Sequence, residues 1–149
     1  MTVTVTQLDR DDYTAWKSLY LAYGEFYNMP LGQQTLDTVW AWIFDSKNPF
    51  YALIAKDEHG KGVGLMHYRE MPSPLRGTHV GFLDDLFIEP CHRGSGAVDA
   101  MFNALNEAAK EHGWPFVRWI TSENNYRGRA AYDRIANKTQ WQTYQLDIS

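Results

Sequence analysis

The sequence predicts an α/β fold, a mixed and mostly antiparallel central sheet of about six to seven strands flanked by about four helices. Three observations predict it. Short apolar runs bounded by Gly, Pro, Asn or Asp recur at strand length. Longer stretches between them carry apolar residues at i, i+3, i+4, i+7 spacing. One run, residues 82–88, passes through a glycine turn directly into a helical pattern, as a crossover unit does. The order reads β-α-α-β-β-β-α-β-α-β. With 149 residues, 44% hydrophobic and 15% aromatic, one core and a single domain over 1–149 are expected.

Residues 2–8 alternate Val3 and Val5 with threonines and form the first expected strand. Asp11 or Asp12 can then cap a helix with Tyr13, Trp16, Leu19, Tyr20 and Tyr23 on one face, read mostly as core. Gly24 and Pro30 break that helix. The aromatic-rich loop this leaves at 23–30, with Phe26 and Tyr27, is either a hydrophobic plug or the wall of a substrate pocket. A second helix covers 34–44 through Leu36, Val39, Trp40 and Ile43. After Asn48-Pro49, residues 50–56 and 63–70 read as hairpin strands around a turn at 57–62. Residues 71–79, with Pro72, Pro74 and Gly77, read as a loop long enough to reach over an active site.

Residues 82–88 are the central strand, apolar except for Asp84 and Asp85. Because side chains alternate across a strand, the two carboxylates are expected on opposite faces of the sheet. The next helix starts at the glycines and carries Val98, Met101, Phe102, Leu105, Ala108, Ala109 and His112. A strand at 116–121, a helix at 126–135 capped by Asn124 or Asn125, and a short strand at 140–146 complete the chain.

Composition narrows the function. A net charge of −4 and a pI near 5.7 argue against a nucleic-acid partner and suit a cationic small substrate. The amino terminus has neither a basic nor an apolar targeting region, and no stretch approaches 18 apolar residues, so neither export nor a membrane span is expected. The lone Cys91 excludes an internal disulfide and fits a reducing, cytoplasmic compartment. The histidines are scattered, no Cys/His pair stands at metal-ligand spacing, and no metal is expected.

The glycine turn is Arg93-Gly94-Ser95-Gly96. Glycines let the backbone approach a ligand closely, and the free N–H groups of a first helical turn favour a phosphate. The alternative is a tight turn and nothing more. A dinucleotide-binding fingerprint lacks its third glycine here, and the Gly-Lys-Ser/Thr of a nucleotide-triphosphate loop is absent.

Ile88-Glu89-Pro90 followed by Arg93-Gly94-Ser95-Gly96-Ala97-Val98 resembles motif A of the GNAT N-acetyltransferases, Val/Ile-x-Pro leading into Arg/Gln-x-x-Gly-x-Gly/Ala, with Val98 where the family has Gly or Ala. Asn125, Gly128 and Tyr132 are similar to a second family pattern: Asn, a small residue three later and Tyr seven later. Residues 82–88 resemble the corresponding strand of polyamine and diamine acetyltransferases. Residues 118–136 resemble the branch containing fungal histone/polyamine and D-amino-acid acetyltransferases, with Ala136-Asn137 where the family usually has Gly-Phe. The resemblance spans nearly the whole chain and is detailed from about residue 80 to 136.

That resemblance implies a GNAT-like sheet and acetyl-CoA as co-substrate. It implies a pantetheine arm bonded to the backbone of Phe87 and Ile88, and a pyrophosphate on the N–H groups of Arg93, Gly94, Ser95, Gly96, Ala97 and Val98. Asn125 would orient the cofactor. Arg129 would meet its phosphates or lie on a solvated helix face. Tyr132 is the implied general acid for the leaving thiolate. Asp84 stands where a Glu is proposed to take the amine proton; alternatively it only binds the cationic substrate. Tyr23, Phe26, Tyr27 and Asp85 are the implied substrate contacts, and a homodimer is expected. The expected reaction is direct acetyl transfer to a primary amine of a small molecule: a polyamine, a diamine or an amino-acid-like compound. A protein or peptide amine, and a non-catalytic acyl-CoA-binding module, are the alternatives.

Overall fold

Threonine–valine alternation at the start of the chain builds β1 (Thr4–Gln7), which pairs antiparallel with β2 (Phe50–Lys56). This structure is a computed structural model; it describes residues 2–149 and divides into one unit ending at Trp119 and a second, Ile120–Ser149. In the first unit Asp9 caps a 3₁₀ turn, accepting from Asp11 N–H at 2.9 Å while Asp12 accepts from Asp9 N–H at 2.8 Å, and that turn feeds α1 (Tyr13–Phe26). The expected break at Gly24 does not occur. A glycine inside a helix costs only about 1 kcal/mol relative to alanine, and here the returning chain packs on its bare Cα, where a Cβ would lie 2.6 Å from the Met29 carbonyl oxygen. Then come α2 (Gln33–Phe44), β2, and the long hairpin β3 (Gly62–Ser73) and β4 (Thr78–Ile88).

The hairpin corrects a second expectation. Residues 71–73 and 78–79 belong to the strands, with Pro72 opposite His79, so only 74–77 turn. Pro72 is tolerated beside the turn, at the end of a ladder where one missing donor costs little, and Gly77 takes φ +65°. Nothing here is long enough to reach over an active site.

β4 leads through a 3₁₀ turn at Pro90–His92 and the glycine turn into α3 (Ala97–His112), and the chain returns to β5 (Val117–Arg118), parallel to β4 at Gly81 and Phe82. The sheet order is β1-β2-β3-β4-β5. Both faces are covered, which is why the strands read as apolar runs. Leu53, Met66, Tyr68, Leu83 and Ile88 pack with Met101 and Leu105 of α3, whereas Ile54, Leu65 and Phe87 pack with Trp16, Leu19, Leu36 and Val39 of α1 and α2.

Close packing where β4 meets β5 is testable. A Cβ on Gly81 would lie 2.6 Å from the Trp114 ring and 2.9 Å from Val117. Trp114 is itself held by its hydrogen bond to Glu70 at 2.8 Å and a stack on His112. Gly81→Ala is therefore expected to lose about 1–3 kcal/mol in urea unfolding, the usual cost of overpacking; an unchanged midpoint would show that Trp114 can move.

In the second unit Asn125 caps α4 (Tyr126–Ile135), its Oδ1 accepting from Gly128 N–H at 3.2 Å. Residues 136–149 form no strand, so the sheet has five strands rather than six to seven. Gln140–Leu146 is expected as a strand, but a strand exists only on a partner edge, and none pairs with it among the described residues. The expected 116–121 strand shortens to two residues for the same reason: only Gly81 and Phe82 stay in its ladder.

Candidate active site

The site grows out of an irregularity in β4. His67 lies opposite Asp85 and Tyr68 opposite Leu83, so Asp84 is an extra residue, a β-bulge. Leu83 and Leu86 both turn to the α3 core, and the two aspartates between them both reach the α1 face. There Asp85 meets His67 and Tyr20, while Asp84 meets Arg69, two residues beyond His67 on the same side of β3. The expectation of opposite faces is thus overturned: alternation holds only while the ladder is regular.

The two carboxylates have opposite surroundings. Asp85 Oδ2 accepts from His67 Nδ1–H at 2.9 Å and from the Tyr20 hydroxyl at 3.1 Å, and the Tyr23 hydroxyl donates to the same carboxylate. Burial alone would raise its pKa, but these donors, His67 first, outweigh burial and hold it below the usual carboxylate value. The phenols of Tyr20 and Tyr23 are pushed well above their ordinary value, by burial first and then by the Asp85 charge. Asp84 is raised: burial is the largest cause, the neighbouring Asp85 adds to it, and Arg69 opposes it. Arg69 Nε approaches Asp84 Oδ2 to 3.2 Å without hydrogen-bond alignment, so that buried oxygen has charge contact only.

Beside the bulge the sheet is open. Beyond Phe82 no strand pairs with the outer edge of β4 among the described residues. Glu89 N–H donates to Val63 at 2.9 Å. Because antiparallel bonds alternate, Phe87 also turns its main chain to β3, against the expectation that it would bond an arm on the open edge, while Leu86 and Ile88 turn theirs to that edge. Arg93 Nε–H bonds the outward carbonyl of Ile88 at 3.1 Å, its guanidinium lying over the rings of Phe26 and Phe87. Gly94 and Gly96 have φ of +83° and +89°, and a Cβ on either would meet nothing within 4 Å. Gly96 provides no side-chain cap, so the first turn of α3 presents its N–H groups at the end of that edge. Ser95 Oγ bonds the His92 carbonyl, Ala97 is buried, and Val98 packs against the α3 core. An extended amide-bearing arm ending in phosphates fits this edge and cradle.

The aromatic residues 20–27 form a wall. Tyr23 lies 5.9 Å from Tyr20, 5.0 Å from Tyr27 and 6.5 Å from Phe87, ring centre to ring centre, and Phe26 is half exposed beside Tyr27. In the second unit, Asn125 Nδ2 donates to Thr121 at 3.0 Å, and a Cβ on Gly128 would lie 2.5 Å from that amide, the reason for a small residue there. Arg129 bonds the Glu123 carbonyl, and Tyr132, seven residues after Asn125 and partly buried, shares its helix face.

Sequence reasoning missed three side chains that contact the aspartates, His67, Tyr20 and Arg69. A histidine inside the apolar run Val63–Tyr68 was the available signal, because a polar residue in a buried strand needs a partner. It also missed that Glu89, Cys91 and His92 converge, with Cys91 Sγ 3.2 Å from His92 Nδ1 and Lys61 3.5 Å from Glu89.

A model of the family described as Acetyltransferase (GNAT) matches residues 16–136. The D-amino-acid N-acetyltransferase HPA3 of Saccharomyces cerevisiae is 25% identical over 144 residues, covering 96% of this chain and 89% of the yeast protein. Two solved structures share the fold at lower identity. The ribosomal-protein-alanine N-acetyltransferase of Brucella melitensis biovar Abortus 2308 has a TM-score of 0.82 at 22% identity, over 99% of this chain and 100% of that one. The aminoglycoside antibiotic 6'-N-acetyltransferase of Acinetobacter baumannii has a TM-score of 0.82 at 13% identity, over 99% of each.

Proposed function

The chain belongs to the GNAT acetyltransferase family and is an N-acetyltransferase, and from that premise we propose that it moves the acetyl group of acetyl-CoA directly to a primary amine of a small molecule: a polyamine, a diamine or an amino-acid-like compound. The observation that carries the reading is the pair of adjacent carboxylates on one face with pKa values pushed apart. Two such groups divide acid–base work from electrostatic work. Asp84, raised, is the group suited to take a proton; Asp85, lowered, stays an anion and favours a cationic substrate.

Bound acetyl-CoA supplies a thioester whose carbonyl carbon the amine attacks and whose thiolate leaves. The outward main chain of Leu86 and Ile88 holds the arm as a further strand would, once Arg93 releases the Ile88 carbonyl, and Phe87 flanks it with its ring. The glycine turn and the first turn of α3, together Arg93 through Val98, hold the phosphates, with Asn125 and Arg129 assisting at the cofactor. Asp84 accepts the ammonium proton, directly or through water. Tyr23, Phe26 and Tyr27 wall the amine site beside Asp85. Tyr132 gives its proton to the leaving sulfur, a role supported by its fit to the family pattern that starts at Asn125. Tyr132→Phe is expected to lower kcat by roughly 100-fold with little change in acetyl-CoA affinity, since it removes a proton and not a contact. Unchanged turnover would take Tyr132 out of the mechanism.

The test of the whole reading is thiol release from acetyl-CoA against spermidine, short diamines, lysine, D-amino acids and a basic peptide. Turnover of the small amines is expected, and the yeast relative makes D-amino acids a natural member of the panel. Turnover of the peptide alone would move the reading to a protein amine, and binding of acetyl-CoA without any turnover would make the chain an acyl-CoA-binding module.

We further propose that residues 1–149 act as one domain, that the protein works in a reducing cytoplasm, as its single cysteine fits, and that it is a homodimer. Trp141, Tyr144, Leu146 and Ile148 are all largely exposed, an apolar surface that suits a second copy. Sedimentation as a monomer at micromolar concentration would refute the dimer. No helix among the described residues is long and apolar enough to cross a membrane.

A further inference from the structure

His67 lies in the middle of β3, fully buried, and both of its ring nitrogens are engaged. Trp16 Nε1–H donates to Nε2 at 2.9 Å. An indole N–H has no lone pair to offer, so Nε2 is the acceptor and the proton of the ring sits on Nδ1, which donates to Asp85 at 2.9 Å. A proton on Nε2 would set two donors head to head in a dry core. Trp16 thereby selects one tautomer, and that tautomer is the one that bonds Asp85. The groups facing Asp85 are His67 from β3, Tyr20 and Tyr23 from α1 and Asp84 on its own strand. Of the donors, His67 is the one whose ring is also held from its far side by a fully buried partner, Trp16.

Resting on the transferase reading above, we propose that His67 is a positioning residue of the amine site: locked by Trp16 with its proton on Nδ1, it keeps Asp85 a carboxylate that draws the substrate ammonium to the bulge and leaves Asp84 as the group that takes the proton. His67 touches neither substrate nor the reacting atoms. It acts through Asp85, whose side chain is 18% exposed and so meets solvent while its Oδ2 is held from behind.

Two variants separate this role from simple packing. His67→Asn sets an amide N–H near the Nδ1 position and can still donate to Asp85; His67→Gln sets its amide near Nε2, keeping an acceptor for Trp16 but losing the donor to Asp85. In full-length protein, the ¹⁵N spectrum of the wild-type ring should show Nδ1 protonated and Nε2 bare. The ¹³C titration of the Asp85 carboxyl should stay below the ordinary range in wild type and His67→Asn, and move up in His67→Gln. With spermidine as the amine, His67→Gln should raise KM roughly tenfold or more, the worth of one hydrogen bond to a charged group, increasingly so as pH falls and Asp85 protonates. The KM for acetyl-CoA should not move, and His67→Asn should restore the amine KM.

A proton on Nε2, an Asp85 titration that is the same in all three proteins, or Asn and Gln variants equally impaired toward both substrates would overturn the proposal. If the wild type turns over no amine, the transferase reading fails on its own, and the two spectroscopic results still decide whether His67 holds the Asp85 charge.

Discussion

Asp84→Asn is expected to lower kcat by about 10²- to 10⁴-fold, the range for loss of a general base, with acetyl-CoA binding retained. The substitution keeps the shape of the side chain and removes the atom that takes the proton. The pH profile is the more discriminating readout. An acid group with a raised pKa is protonated, and idle as a base, until pH exceeds that pKa. Burial and the Asp85 charge raise Asp84, so wild-type kcat/KM should fall as pH drops through a value above the ordinary carboxylate range. That limb should vanish in Asp84→Asn, leaving a low and flat profile. Stability should change little, because Arg69 is half exposed and can turn to water. Full activity with the acid limb intact would assign the base elsewhere and reduce Asp84 to the charge partner of Arg69.

Gly96→Glu is expected to weaken acetyl-CoA binding roughly 100-fold or more, about 2.7 kcal/mol by calorimetry. Gly96 stands at φ +89° immediately before α3. A carboxylate there would sit against the uncapped first-turn N–H groups and favour the helix, taking the place a phosphate needs. The left-handed backbone costs any L-residue about 1–2 kcal/mol, and Gly96→Ala bears that cost without the charge. No packing clash enters, because a Cβ at this position meets nothing within 4 Å. The alanine variant should therefore bind acetyl-CoA nearly normally while the glutamate variant does not. Normal binding by Gly96→Glu would refute the location of the phosphates.

Much of the site was legible because its signals are local. Gly94 and Gly96 announce a left-handed backbone that only glycine adopts without strain, and the helical spacing from Met101 to Ala109 follows directly. Asn125 and Gly128 are readable as a cap and the small residue that a cap requires, a relation contained within four residues. Where reading failed, the deciding partner lay far along the chain. Gly24 breaks a helix on propensity alone, yet the return of Met29 and Leu31 onto its bare Cα keeps α1 intact. Pro72 reads as loop until a strand of matching length stands opposite.

The sequence by itself determined the α/β class, the glycine cradle, the two neighbouring carboxylates and the resemblance that names the chemistry, since each rests on residue type and short-range spacing. Only the tertiary structure decided what those carboxylates are. The extra residue in β4 turns Asp84 and Asp85 to one face, where burial and the Asp85 charge raise Asp84 against the pull of Arg69, while the donors His67, Tyr23 and Tyr20 overcome burial and lower Asp85. A bulge is a mismatch between two strands, and burial and donors are properties of surroundings; neither is written in the strand that carries the aspartates.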